Sequence, residues 1–241
     1  MDNKTLYIPQ LTPALRFARE VLQEAGVTPV SDGEAADGWL FPVPTGEISL
    51  PTKPGTLIIG GRLNSPEFSD FPKLDLLKDE IYLAENARLT AECALRILDS
   101  KLPTTICGCP ILVIGWGRIG KCLAQLLGRM GARVVVAARK PADLGMLAAL
   151  GYDAVALSRV TKVLPRMRVI VNTAPAPVLG DAELALLPVG ALKLDLASVR
   201  GLAGEDVLWA RGLPGKMVPE ASGRLIAARV LTLLYNKEAR P

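Results

Sequence analysis

Two short stretches concentrate residues able to do chemistry: Ile111-Leu-Val-Ile-Gly115-Trp-Gly117-Arg-Ile-Gly120, and then Val134-Val-Val-Ala-Ala-Arg139-Lys140. Ile111 to Ile114 is an apolar run rich in branched side chains, suited to a parallel strand buried on both faces. Gly115 permits a tight turn, Gly117 lets backbone approach a pyrophosphate, and Gly120 lets the next helix pack closely on the strand. Ile119, Leu123, Leu126 and Leu127 recur at helical spacing, so the free N–H groups and positive dipole end of a helix should face the phosphates; Gly131 ends it. Arg118 and Ile119 lie inside the turn, and Arg118 could serve the pyrophosphate or lie on the surface. About twenty residues past such a turn, an NAD site places Asp or Glu on the ribose 2′-hydroxyl. This chain has Ala137, Ala138, Arg139 and Lys140 there. Arg139 can grip a 2′-phosphate bidentately and Lys140 adds a point charge, which selects NADP as cofactor; the alternative is a solvated basic loop.

These residues need elements to position them. The pattern after residue 106 predicts alternation: a helix near 142–150, a strand near 154–157, a helix near 158–165, a strand over 168–171, a helix over 181–187, a strand over 190–194 and a short helix over 204–211. That is a doubly wound parallel α/β sheet, Rossmann-like, over 106–218. A smaller N-terminal α/β domain, 1–83, holds strand candidates at Leu6–Ile8, Trp39–Val43 and Thr56–Ile59 and a helix after Pro13. A helix and linker over 84–105 connects the two, and a last helix over 219–236, within a 219–241 tail, is expected to pack back on the first domain. Ligands collect beyond the carboxyl ends of strands in such sheets. Asn172-Thr173-Ala174-Pro175 and Asp195-Leu-Ala-Ser198 therefore gain weight. Asn172 and Thr173 could hydrogen-bond ribose, carboxamide or substrate, or serve as turn and cap residues; Asp195 could orient a donor, take a proton or cap its turn.

The 241-residue chain contains no histidine, which excludes a Ser-His-Asp triad and a histidine acid/base. Its four cysteines, with Cys107-Gly-Cys109 lacking a second pair, suggest neither a secreted disulfide framework nor a metal site. The net charge is −5 over residues 1–105 and +9 over 106–241, so the second half suits an anionic cofactor and an acidic substrate. Few aromatics and scattered basic residues argue against nucleic acid. No apolar run approaches the roughly 20 residues that span a bilayer, and the polar start Met1-Asp-Asn-Lys4 lacks a signal-peptide pattern, so the expected location is cytoplasmic.

Taken together, Asn86-x-x-x-Thr90-Ala-Glu92, Gly115-Trp-Gly117-Arg-Ile-Gly120 with Ala138-Arg139-Lys140, Asn172-Thr-Ala-Pro175, Asp195-Leu-Ala-Ser198, Gly212-Leu-Pro-Gly215-Lys and Pro219-x-x-x-Gly223 resemble the family of dipicolinate synthase A subunits, most specifically over about 84–236. The resemblance implies an NADP-dependent oxidoreductase that converts dihydrodipicolinate or a tetrahydrodipicolinate precursor to dipicolinate during sporulation. It implies a partner in the flavoprotein-like B subunit of dipicolinate synthase, action in the spore mother cell, and kinship of fold with adenosylhomocysteinase-like and hydroxy-acid dehydrogenase proteins. The chain departs from the family in an N-terminal domain expected to be shorter, in Val199-Arg200-Gly201 for Pro-Gly-Gly, and in Glu220-Ala221-Ser222 for Lys-Thr-Ala. Arg200 and Lys216, in loops expected near strand ends, are candidates to pair with the carboxylates of a small dicarboxylate substrate. Glu92 matches the family's interdomain motif and could orient substrate or water, or form a helix-face salt bridge. The catalytic candidates are thus Glu92, Asp195, Arg200 and Lys216, in a cleft between two α/β domains. An imine or amino-acid dehydrogenase and a non-catalytic NADP-sensing scaffold remain alternatives, as does a homo-oligomer.

Overall fold

The structure, a computed structural model, describes residues 4–47 and 49–236, so the polar start Met1–Asn3 lies outside the described residues. The elements run β1 (Thr5–Tyr7), α1 (Pro13–Glu24), β2 (Thr28–Val30), β3 (Gly38–Leu40), β4 (Leu57–Gly60), β5 (Lys73–Asp75), α2 (Glu80–Lys101), β6 (Pro110–Ile114), α3 (Arg118–Arg129), β7 (Arg133–Ala138), α4 (Pro141–Ala149), β8 (Asp153–Ala156), β9 (Val169–Asn172), α5 (Asp181–Leu184), β10 (Leu192–Asp195), β11 (Leu208–Trp209), α6 (Leu213–Met217) and α7 (Pro219–Tyr235). They form two compact units: residues up to Leu89 with those from Pro214 on, and Thr90–Leu213. Among the described residues no helix is long and apolar enough to cross a membrane.

The first unit is a five-stranded parallel sheet in the order β2-β1-β3-β4-β5. Thr12 opens α1 by accepting the Leu15 N–H at 3.3 Å, with Pro13 preset for the first turn. Leu15, Ala18 and Leu22 of α1 join Leu6, Leu40, Ile59 and Leu74 of the sheet in one core, completed by Ile226, Ala227, Val230 and Leu233 of α7. A methyl at Gly223 would strike the Ala14 carbonyl, so glycine there is what allows α7 to lie so close to α1. A second core, Trp39, Phe41, Ile58, Leu63 and Phe68, forms a separate cluster in this unit. One ion pair ties the unit together: Arg229 Nε donates to Asp79 Oδ2 at 2.7 Å with both side chains nearly buried, while Asp79 Oδ1 accepts the Ile81 and Tyr82 N–H groups at the start of α2.

The second unit is a six-stranded parallel sheet in the order β11-β10-β9-β6-β7-β8. Counted from β6 as the first strand, this is 3-2-1-4-5-6 reversed end for end, the dinucleotide-fold order, with its direction switch between β6 and β9. β9 is buried at every position and β6 at every position after Pro110, as strands covered on both faces should be.

Several local expectations change. The strand expected to Val43 stops at Leu40, and β2 and β5, three residues each, lie where the sequence pattern shows no strand. The helix expected over 158–165 is two 3-10 turns, Leu157–Lys162 and Leu164–Arg166, and Pro165, inside the second, has no N–H to carry an α-helical ladder through it. The helix expected over 204–211 is instead the edge strand β11: Leu208 and Trp209 pair with Leu194 and Asp195, and Gly204 at φ +88° breaks any helix before them. Lys216 lies on the short helix α6 and not in a loop.

Candidate functional site

β6 delivers the chain to Gly115, whose φ of +102° only glycine adopts without strain and whose N–H donates to the Ala137 carbonyl of β7 at 2.9 Å. A Cβ on Gly115 would come within 2.6 Å of Thr173 Oγ1, and one on Gly120 would strike the Gly115 carbonyl. Gly117 is different. It caps α3 in extended conformation, and a Cβ there would meet no heavy atom within 4 Å. Two of the three glycines are thus demanded by the protein itself, whereas the third faces open space in front of the helix.

Intrahelical bonding in α3 begins with Lys121 N–H to Gly117 O at 2.9 Å, so the amides of Arg118, Ile119 and Gly120 precede the ladder. The first turn carries no acidic side chain that would occupy the positive dipole end. Arg118 is exposed at that turn, and Lys121 lies 5.8 Å from the Trp116 ring. β7 pairs with β6 as far as Ala137 opposite Ile114, which sets Arg139 and Lys140 just past the strand end adjoining the glycine turn. Both are exposed, and among the described residues neither is held in an ion pair. The turn, the amides and the two cations could hold a dinucleotide carrying an extra phosphate.

The loops after β9 and β10 are fastened to one another. Thr173 donates both its N–H (2.8 Å) and its Oγ1–H (2.9 Å) to the Ile114 carbonyl, clamping the end of β6. Asn172 is fully buried; its Oδ1 accepts Ala174 N–H at 3.0 Å, and its Nδ2 donates to Ala174 O at 3.1 Å and to Asp195 Oδ1 at 3.0 Å. Asp195, also fully buried, accepts Ala197 N–H on Oδ1 at 3.0 Å and the Gly201 and Leu202 N–H groups on Oδ2 at 2.7 and 3.0 Å. Each Asp195 oxygen has two donors, so this carboxylate braces the 196–202 loop and has no face toward solvent from which to take a proton. The side chains of Asn172 and Thr173 likewise point into the fold. Ala174 is half-buried and Pro175 exposed, while the Thr173 and Ala174 N–H groups are already given to Ile114 O and Asn172 Oδ1.

The carboxylate-anchoring candidates fare unequally. Arg200 Nε donates to Leu202 O at 3.1 Å and its Nη2 to Gly204 O, folding the guanidinium onto its own loop. It lines a cavity of about 800 Å³ whose other charged walls are Asp181, Glu183 and Glu205, surroundings that disfavour a dianion. Lys216 is exposed and belongs to the first unit, Arg200 to the second. Glu92 is half-buried on α2. Next to it, burial pushes the Cys93 thiol up, Arg96 opposing and Glu92 adding to the rise.

Sequence reasoning named Gly201 only within a departure from the family pattern and gave it no role. A Cβ there would strike Asn172 Nδ2 and come within 2.6 Å of the Ala176 carbonyl, so this glycine is what admits the buried Asn172–Asp195 pair. The signal was available in the Gly six residues past an Asp that ends a buried strand, but only the fold makes it a partner of Asn172.

No family model and no curated protein sequence matches the chain. Solved structures do match. The dipicolinate synthase A subunit of Bacillus halodurans superposes with a TM-score of 0.81 at 24% identity, covering 97% of this chain and 98% of that one. The corresponding dipicolinate synthase chain of Bacillus subtilis gives 0.85 at 21%, covering 99% and 98%. A transhydrogenase from Sinorhizobium meliloti gives 0.73 at 15%, covering 96% and 93%. At these identities the likeness is one of fold, and over nearly its whole length this chain has the fold of the dipicolinate synthase A subunit.

Proposed function

We propose that the chain is an NADP-dependent oxidoreductase, the A subunit of a dipicolinate synthase, that converts dihydrodipicolinate or a tetrahydrodipicolinate precursor to dipicolinate together with its B subunit, in the spore mother cell. The observation that carries the cofactor is the open space before Gly117, at the start of an acid-free helix turn, beside two exposed cations at the end of β7. Gly115, Gly117, Arg118, Ile119 and Gly120 hold the pyrophosphate through backbone and the Arg118 charge, and Arg139 with Lys140 holds the 2′-phosphate. The backbone of Thr173, Ala174 and Pro175 flanks the nicotinamide side of the switch point, with Asn172 fixing its shape. When bound, NADP⁺ supplies the hydride acceptor: dihydrodipicolinate gives up a hydride and a ring proton and becomes aromatic. Because aromatisation favours loss of that proton, positioning outweighs a strong protein base.

The test is turnover and cofactor choice together. Purified chain, with and without the B subunit, is given enzymatically generated dihydrodipicolinate and NADP⁺, and NADPH is followed by fluorescence. Replacing Arg139 and Lys140 by serine should weaken NADPH far more than NADH; equal losses reject the 2′-phosphate assignment. NADPH binding without turnover in either condition would replace this reading with the sensing scaffold. The committed side chains of Asn172 and Asp195 are the observation favouring that second reading.

A further inference from the structure

The second unit has another cavity, of about 600 Å³, at the opposite end of its sheet from the glycine turn. Pro110, the first residue of β6, and Arg168, just before β9, both line it, together with Thr104, Thr105, Arg166 and Met167. No Asp or Glu contributes to its wall. That contrasts with the Arg200 cavity, where three carboxylates surround one guanidinium. A third arginine stands beside it: Arg133 Nε donates to the carbonyl of Gly108, a wall residue, at 2.8 Å. Among the described residues no carboxylate pairs with Arg133, Arg166 or Arg168. Arg168 is half-buried, so its charge is less screened than that of an open surface arginine. The charge reaches the wall: burial pushes the Cys109 thiol up, and Arg168 and Arg133 oppose the rise.

Like charges gathered in a concave, carboxylate-free pocket repel one another and focus a positive potential into it. Guanidinium forks match the oxygens of phosphate and carboxylate groups, and the Thr104 hydroxyl adds a donor, the Thr105 hydroxyl being given to Cys107 O at 3.3 Å. We propose that this cavity binds a small multiply charged oxyanion, a phosphate or a polycarboxylate, at a site separate from the dinucleotide cradle. Proline and methionine walls leave room for a compact carbon skeleton carrying those charges.

The full chain is titrated calorimetrically at low ionic strength with two probes, inorganic phosphate and citrate, the one that binds more tightly identifying the oxyanion class. With the glycine turn saturated by NADPH, the expected result is one bound anion per chain, weakening as NaCl is added. Arg168→Gln and Arg166→Gln should each lower affinity about tenfold or more. Arg16→Gln, which makes the same charge change on α1 in the other unit, should leave it unchanged. Each variant's circular dichroism is compared with wild type, and if Arg168→Gln does not fold, the exposed Arg166→Gln decides. No binding of either probe overturns the proposal. So does binding that survives both cavity substitutions, or that falls equally in Arg16→Gln, which would mark a response to net charge alone.

Discussion

Replacing Asp195 by asparagine separates a brace from a proton carrier. The carboxylate accepts four hydrogen bonds, from Asn172 Nδ2 and Ala197 N–H on one oxygen and from Gly201 and Leu202 N–H on the other, at 2.7 to 3.0 Å. An asparagine in the same volume has one oxygen and one NH₂ group. Whichever pair of donors meets the NH₂ loses its acceptor, in a site with no access to water. Two charge-assisted bonds at about 1.5–3 kcal/mol each put the cost at about 3–6 kcal/mol. Against a typical domain stability of about 5–15 kcal/mol that is a large fraction. The assay is urea unfolding of wild type and Asp195→Asn followed by tryptophan fluorescence. Trp209 is a local reporter, since its indole N–H donates to Ala197 O at 3.0 Å on the braced loop. A midpoint shift worth less than about 0.5 kcal/mol, together with lost turnover, would refute the bracing argument and reinstate Asp195 as a proton carrier.

Three further outcomes follow from the same geometry. Gly117→Ala should leave unfolding within about 0.5 kcal/mol of wild type, because its methyl meets no protein atom, yet weaken NADPH about tenfold or more in calorimetry by filling the pyrophosphate approach. Asp79→Ala should cost about 3–5 kcal/mol in urea unfolding, since it strands the buried Arg229 charge and uncaps α2. Asp37 is held below the usual carboxylate range, first by the Thr5 N–H and then by the Thr5 hydroxyl, with burial opposing. A lowered folded value means this stabilisation is present above the unfolded carboxylate range and is lost as pH falls through the folded one. Asp37→Asn should therefore flatten the acid limb of stability below about pH 4, measured by thermal melts.

What the sequence made legible was whatever is local and periodic. β6, α3 and β7 are one contiguous stretch in which the apolar run, three glycines and helical leucines agree, and their order in the sheet follows. β2 and β5 escaped because three residues carry no alternation, and β11 because its Val207-Leu-Trp-Ala210 run is short and bounded by Gly204-Glu-Asp206 and Arg211-Gly212. The roles of Asn172, Asp195 and Arg200 were illegible for a different reason. Their types suit chemistry, but whether a polar side chain faces a ligand or its own backbone depends on which carbonyls and amides the fold brings near it, and those lie 2 to 23 residues away.

That distinction bears on how the switch point is built. Thr173 fills the space that side chains at Gly115 and Gly120 would need and bonds twice to the Ile114 carbonyl, so the loop after β9 is part of the floor of the glycine turn. Asn172, one residue earlier, hands the same rigidity on to Asp195 and thence to Gly201. Three loops from β6, β9 and β10 are thereby locked by buried groups before any ligand arrives. A binding surface made of backbone is held more firmly by such a lattice than by side chains free to rotate, and less ordering remains to oppose binding. In this unit the polar residues that look most reactive are the ones doing the holding. The open ground for a ligand is left to glycine, to first-turn amides and to the exposed Arg139 and Lys140.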